Sequence, residues 1–115
     1  MNYMIMVYET EAAFRARSNE HKNAYWGAYK AYTQALRDAG VFAGGHALQP
    51  AFSATTVRLR GGTREVQDGP YAEAKEQLGG YCIVDVPDLD AALAWAARCP
   101  AAADGAVEVR PILSM

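Results

Sequence analysis

The chain has 115 residues, half of them apolar and about a fifth charged, with a formal net charge of -2 and a pI near 5.6. That length supports one core and falls below the size at which chains divide, so residues 1–115 are expected to form a single domain. The composition excludes a disordered chain, and the charge excludes the basic surface of a typical nucleic-acid binder.

The opening "MNYMIMVYET" is dense in Met, Ile, Val and Tyr over Asn2 to Tyr8, which predicts a buried strand. No basic residues precede it and no small-residue cleavage site follows it, so it reads as a first strand and not an export signal. No run approaches the roughly 18 apolar residues that cross a bilayer. A soluble, cytoplasmic protein with no membrane contact is therefore expected.

From Asn19 to Ala39 apolar residues recur at Tyr25, Ala28, Tyr29, Tyr32, Ala35, Leu36 and Ala39, one face of a helix with Ser18 or Asn19 as cap and Gly40 as stop. Val41 to Leu48 reads as a strand weakened at Gly44 and Gly45. Thr55 to Arg60 alternates, and Gly61 and Gly62 turn it back into Arg64 to Gln67 as a hairpin.

Next comes "DGPYAEAKEQLGG", a 13-residue connection with four charges between Asp68 and Glu76. Asp-Gly-Pro is turn chemistry, and "AEAKEQ" predicts one or two helical turns with Glu73, Glu76 and Gln77 near one side, stopped by the glycine pair. A connection of this length is often a lid or binding loop. Tyr81 to Val86 is a strand ended by Pro87. Asp88 caps a second helix with an apolar face of Leu89, Ala92, Leu93, Ala96 and Ala97, and Ala106 to Leu113 is a last strand.

This order predicts a ferredoxin-like α+β sandwich with an inserted hairpin: an antiparallel sheet with both helices on one face. Alternation assigns Val107, Val109, Cys82, Val84 and Val86 to the helix side, together with Val57 and Leu59 of the hairpin. The opposite face then mixes Tyr81 and Ile83 with Asp85, Glu108, Arg58, Arg60 and Arg110. A half-covered face suits such a mixture, and two copies packed face to face would supply the cover. A homodimer with a polar pocket between its sheets is the expectation.

The candidate pocket residues are Arg58, Tyr71, Glu73, Lys75, Tyr81, Asp85 and Arg110. His46, beside two glycines, and Asp68 are candidates for proton transfer, since histidine titrates near neutrality and a carboxylate can orient it. Tyr25, Tyr29 and Tyr32 read as packing. No metal-ligand spacing, phosphate loop or nucleophile elbow is present, so no cofactor is expected, and Cys82 and Cys99 are expected as buried, reduced thiols.

The run "QDGPYAEAKEQLGGYCIVDVPDLDAALAWAARCP" followed by "AVEVRP", with "YMIMVY", "AYKAYTQALRDAGV" and "LQP", resembles the YCII-related proteins of the DGPF-domain group over nearly the whole chain. Tyr71 stands where the name-giving motif has phenylalanine. The resemblance implies a ferredoxin-like fold assembled as a dimeric α+β barrel and no settled reaction. In the wider family a His and Asp pair in the intersubunit cleft has been proposed as an active site. Tyr29 matches that histidine here, and no counterpart of the aspartate follows Leu48. Genes similar to this one often lie beside alternative sigma factors, implying a regulatory context.

Three functions follow as expectations. The first is binding of a small polar or anionic metabolite in the dimer cleft. The second is cofactor-independent proton transfer by His46 or Asp68. The third is an interaction module for a sigma factor or related regulatory partner.

Overall fold

A computed structural model describes residues 1–115, and its elements run β1 (Asn2–Glu9), α1 (Glu11–Ala16), α2 (Lys22–Asp38), β2 (Phe42–Ala47), β3 (Thr55–Arg60), β4 (Thr63–Asp68), β5 (Gln77–Asp85), α3 (Leu89–Ala97) and β6 (Ala106–Pro111). Four strands form one antiparallel sheet in the order β2-β5-β1-β6, the ferredoxin-like arrangement expected from the element order. No helix is long and apolar enough to cross a membrane.

The helices cover one face because the strands alternate cleanly. Tyr3, Ile5, Val7 and Glu9 of β1 are buried, while Met4, Met6 and Tyr8 between them are half-buried. Register carries that division across the sheet: Ile5 faces Cys82 and Val109, whereas Met4 faces Ile83 and Arg110, and Met6 faces Tyr81 and Glu108. The faces predicted for β5 and β6 are therefore the observed ones. The core forms where Ile5 and Val84 meet Tyr32 and Leu36 of α2 and Ala92 and Ala96 of α3. Leu89 and Leu93 stay about half exposed, because α3 approaches the sheet along its alanine seam, where small side chains permit close packing.

The caps show the local chemistry at work. Asp88 accepts a hydrogen bond from the Ala91 amide at 2.9 Å and starts α3, as predicted. Thr10 does the same for α1 through Ala13 at 3.2 Å. A six-residue helix shows too little periodicity to be read in advance, and α1 was not anticipated. Asn19 caps no helix. Its side chain accepts from His21 at 2.8 Å, and α2 begins three residues later than expected.

Three further expectations are corrected. The β3–β4 hairpin forms its own two-stranded sheet, so Val57 and Leu59 do not face the helices and are 58% and 74% exposed. Alternation fixes which residues share a face of a strand but not the sheet to which the strand belongs. The "AEAKEQ" segment is not helical: it runs as bends into β5, and the Gln77 side chain donates to the Ala72 and Ala74 carbonyls. Gly79 and Gly80 are no stop, since they lie inside β5 and are buried.

The projecting hairpin contributes to a flat molecule of 48 × 44 × 19 Å. Its radius of gyration is 15.8 Å, against about 13 Å for a compact chain of this length.

Candidate functional site

The last residue of β1 is the starting point. Alternation aims Glu9 at the helix side, where a carboxylate would be costly unless fully partnered. Glu9 is 2% exposed and lies 2.9 Å from Arg17, itself 11% exposed. Arg17 follows α1 directly, so this short helix carries the guanidinium back over the end of its own preceding strand.

A bulge completes the arrangement. Val7 pairs with Gly80 and Tyr8 with Leu78, leaving Gly79 without a partner on β1. Its carbonyl accepts from Arg17 Nη2 at 2.9 Å and from the Leu48 amide at 2.9 Å. Arg17 also donates to the Leu48 carbonyl through Nη1 and to the Tyr25 hydroxyl through Nε at 3.0 Å. The guanidinium lies 4.8 Å from the centre of the Phe14 ring and 5.5 Å from that of Trp26.

Two tyrosines of α2 close the carboxylate. Tyr25 lies 2.8 and 2.6 Å from its two oxygens, and Tyr29 donates to Oε2 at 3.3 Å. Burial, with Glu9 beside them, pushes both phenols above their ordinary value of 10.0, and burial does the same for Tyr32. For Arg17 burial works downward, but the hydrogen bonds to Tyr25 and Glu9 outweigh it and hold the guanidinium above its usual range.

These phenols make stability depend on alkaline pH. Their folded-state values are raised, so the contribution is fully present below about pH 10 and is lost as pH rises further. Phenolate absorbance should therefore show Tyr25, Tyr29 and Tyr32 ionising only together with unfolding. A single transition for all seven tyrosines near the ordinary value would contradict this burial.

Above the carboxylate, between α2 and the β2–β5 side of the sheet, lies a cavity of about 600 Å³. Glu9, Arg17, Tyr25 and Tyr29 sit at one end, Leu36 and Phe42 give apolar wall, and the exposed Lys30 and Arg37 of α2 add positive charge. Cys82 and Cys99 also border it as free thiols. Burial pushes the Cys82 thiol up to about 12, with Cys99 nearby adding to the effect. Burial also raises Cys99. Neither supplies a thiolate nucleophile near neutrality.

The residues singled out from the sequence fall in several places. Tyr81 and His46 pair across β5 and β2, border the cavity, and hold their rings 6.0 Å apart. Asp85 is exposed and 3.1 Å from the N-terminal amine, and Arg110 is exposed and 2.6 Å from Glu108. Asp68 is exposed at the end of the hairpin, opposite Thr55. Arg58 stacks over Tyr71 at 5.2 Å, while Glu73 is exposed beyond the turn. Lys75 borders a second cavity of about 770 Å³ between α1 and the Pro50–Phe52 turn. Of that set only His46 and Tyr81 border the cavity, and register sets both on the face of the sheet shared with Met6, away from α2.

Sequence reasoning missed Glu9 and Arg17. One usable signal was present: with Tyr3, Ile5 and Val7 on the buried face, period two places Glu9 there as well.

The chain is similar to proteins of known sequence and structure along its whole length. It is 34% identical over 114 residues to an uncharacterised protein of Rhizobium meliloti (strain 1021), covering 97% of this chain and 92% of that one. Its fold is similar to that of 5-chloro-2-hydroxyhydroquinone dehydrochlorinase (TftG) from Burkholderia phenoliruptrix AC1100, solved in complex with 2,5-dihydroxybenzoquinone. The TM-score is 0.57 at 15% identity, covering 98% of this chain and 94% of that one. The YCII-related domain matches residues 1–115, and the chain belongs to that family.

Proposed function

We propose that this chain is a small-molecule-binding protein of the DGPF subgroup, with its site in the cavity between α2 and the sheet and a compact polar or anionic metabolite as ligand. The observation that carries the reading is a cavity of about 600 Å³ with a buried ion pair at one end. Small-ligand sites typically enclose about 300–1,000 Å³. The aromatic and aliphatic walls would take a ligand out of water. Lys30 and Arg37, neither paired with a carboxylate, would draw an anionic group to the exposed side.

The assembly we propose is a homodimer packed through the open face of the sheet. Met4, Met6, Tyr8, Tyr81 and Ile83 are half-buried there with no element above them, beside Glu108 and Arg110. The flat shape and the exposed Val57, Leu59 and Val66 of the hairpin favour a second copy as cover.

Proton transfer is the second reading. What favours it is His46, exposed beside Tyr81 where a partner sheet would enclose both rings. The likeness in fold to a dehydrochlorinase is compatible with chemistry on this scaffold.

One variant tests the cavity. Ala47 is exposed on β2 and borders the cavity, so Ala47→Trp should fill the space without disturbing the core. A panel of small aromatic and aliphatic carboxylates is expected to raise the melting temperature of the wild type and leave Ala47→Trp unmoved. Equal stabilisation of both proteins would remove the ligand from this cavity. Native mass spectrometry of the same samples should show twice the 12.4 kDa chain mass, and a monomer at micromolar concentration would undo the dimer.

A further inference from the structure

The three phenols of α2 differ in what they leave free. Tyr25 directs its proton at the Glu9 carboxylate and accepts from Arg17 Nε at 3.0 Å, so both sides of its oxygen are engaged. Tyr29 spends its proton on Glu9 Oε2 at 3.3 Å, and no N–H or O–H of the protein donates to its oxygen. The Cys99 sulfur lies beside it, and in that contact the tyrosine is the donor and the sulfur the acceptor. Tyr32 spends its proton on the Trp95 carbonyl at 2.8 Å and likewise receives none.

Two tyrosines that border the cavity therefore have phenol oxygens with lone pairs to offer and no proton to give. A carbonyl or carboxylate set against Tyr29 would meet lone pairs, with the Glu9 charge directly behind them. A hydroxyl would meet an acceptor that its own bond to a carboxylate has polarised. On the exposed side the charge reverses, because Lys30 and Arg37 are the cations bordering the cavity there.

Resting on the cavity reading above, we infer that this site selects molecules with a hydroxyl donor at the buried end and an anionic group at the other. That is the chemistry of a phenolic or alicyclic hydroxy acid. Tyr29 reads the hydroxyl, Tyr32 offers a second acceptor, and the cations of α2 hold the acid.

The test uses three probes that differ at one group: 4-hydroxybenzoate, 4-methoxybenzoate and benzoate, titrated calorimetrically into the full chain. The hydroxyl compound is expected to bind at least about tenfold more tightly than the methoxy one, which keeps the oxygen and lacks the proton. In Tyr29→Phe that preference should shrink to about twofold or less, with the far-ultraviolet spectrum unchanged. Equal binding of all three probes would leave the cavity as the site and overturn the hydroxyl inference. A preference that survives in both Tyr29→Phe and Tyr32→Phe would take recognition away from the phenols and overturn it as well. If no probe binds up to millimolar concentration and Ala47→Trp behaves as wild type, the cavity reading falls, and the inference with it. Should Tyr29→Phe fail to fold, the probe series on wild type and Tyr32→Phe still decides.

Discussion

Arg17→Leu is expected to lower unfolding free energy by roughly 3–5 kcal/mol, the range for removing one partner of a buried ion pair. The reason is the isolation of Glu9. At 2% exposure the carboxylate cannot recover its loss from water, and two tyrosine hydroxyls do not replace a guanidinium. The Gly79 and Leu48 carbonyls lose a donor at the same time, which loosens the loop after β2. Urea denaturation measures the change, since a shifted midpoint at constant slope reports stability alone.

Two companion variants give that result its meaning. Arg17→Lys should recover only part of the loss, because an ammonium cannot reproduce a planar fork that serves four acceptors. Glu9→Leu combined with Arg17→Leu should be clearly more stable than Arg17→Leu alone, since no uncompensated charge then remains buried. Arg110→Ala provides the contrast. Its partner Glu108 is as close, at 2.6 Å, but the two side chains are 71% and 42% exposed, and a change within about 0.5 kcal/mol is expected. An Arg17→Leu effect as small as that of Arg110→Ala would mean that Glu9 is not buried as described.

Gly79→Ala is the second large effect, expected to cost roughly 2–4 kcal/mol from one added methyl group. A Cβ at this position would overlap Glu9 Oε1, lie 3.0 Å from Arg17 Nη2 and 3.2 Å from Phe14 Cζ. Three groups would have to move, and two of them are the ion pair. Glycine is required by this close approach, since nothing strained in the backbone demands it. A matched control sits at the hairpin tip: Gly61 and Gly62 have φ of 55° and 80° with open space where a Cβ would go. Alanine there should cost about 1 kcal/mol through backbone strain alone. If Gly79→Ala melts like the wild type, the bulge does not hold Gly79 against the carboxylate, and the floor of the cavity has a different shape.

Both variants bear on function through the same geometry. Glu9, Arg17 and Gly79 join the end of β1, the start of α2, β5 and the loop after β2 at one point, and the cavity opens directly above it. Variants that release this point should lose ligand stabilisation along with fold stability. Ala47→Trp should lose ligand stabilisation alone. The pair of results separates a site that is filled from a site that has collapsed.

Local pattern was enough for much of the architecture. Alternation in "YCIVDV" and "AVEVR" assigned Tyr81 to Val86 and Val107 to Arg110 to their faces, because period two is a property of the strand and needs no partner. The 3.6-residue spacing of Tyr25, Tyr29, Tyr32 and Leu36 marked the buried side of α2, and Asp88 announced α3 because a cap is satisfied within four residues. Strand, helix and strand in that order, repeated after a hairpin, left few topologies open.

What the tertiary structure alone decided are relations between distant residues. Arg17 finds Glu9 eight positions away and Gly79 62 positions away, and only the bulge in β5 turns that carbonyl toward it. Glycines 79 and 80 looked like punctuation because local signals cannot register a carboxylate arriving from another strand. The hairpin left the sheet, and "AEAKEQ" formed bends rather than a helix, because the Gln77 side-chain bonds to the Ala72 and Ala74 carbonyls outweighed a weak helical preference. The tyrosine stripe turns inward as its spacing implies, with Tyr32 buried and Tyr25 and Tyr29 half-buried. That the Tyr25 and Tyr29 hydroxyls converge on a carboxylate beside a cavity depends on where β1 ends relative to α2, and no single segment of the sequence contains that distance.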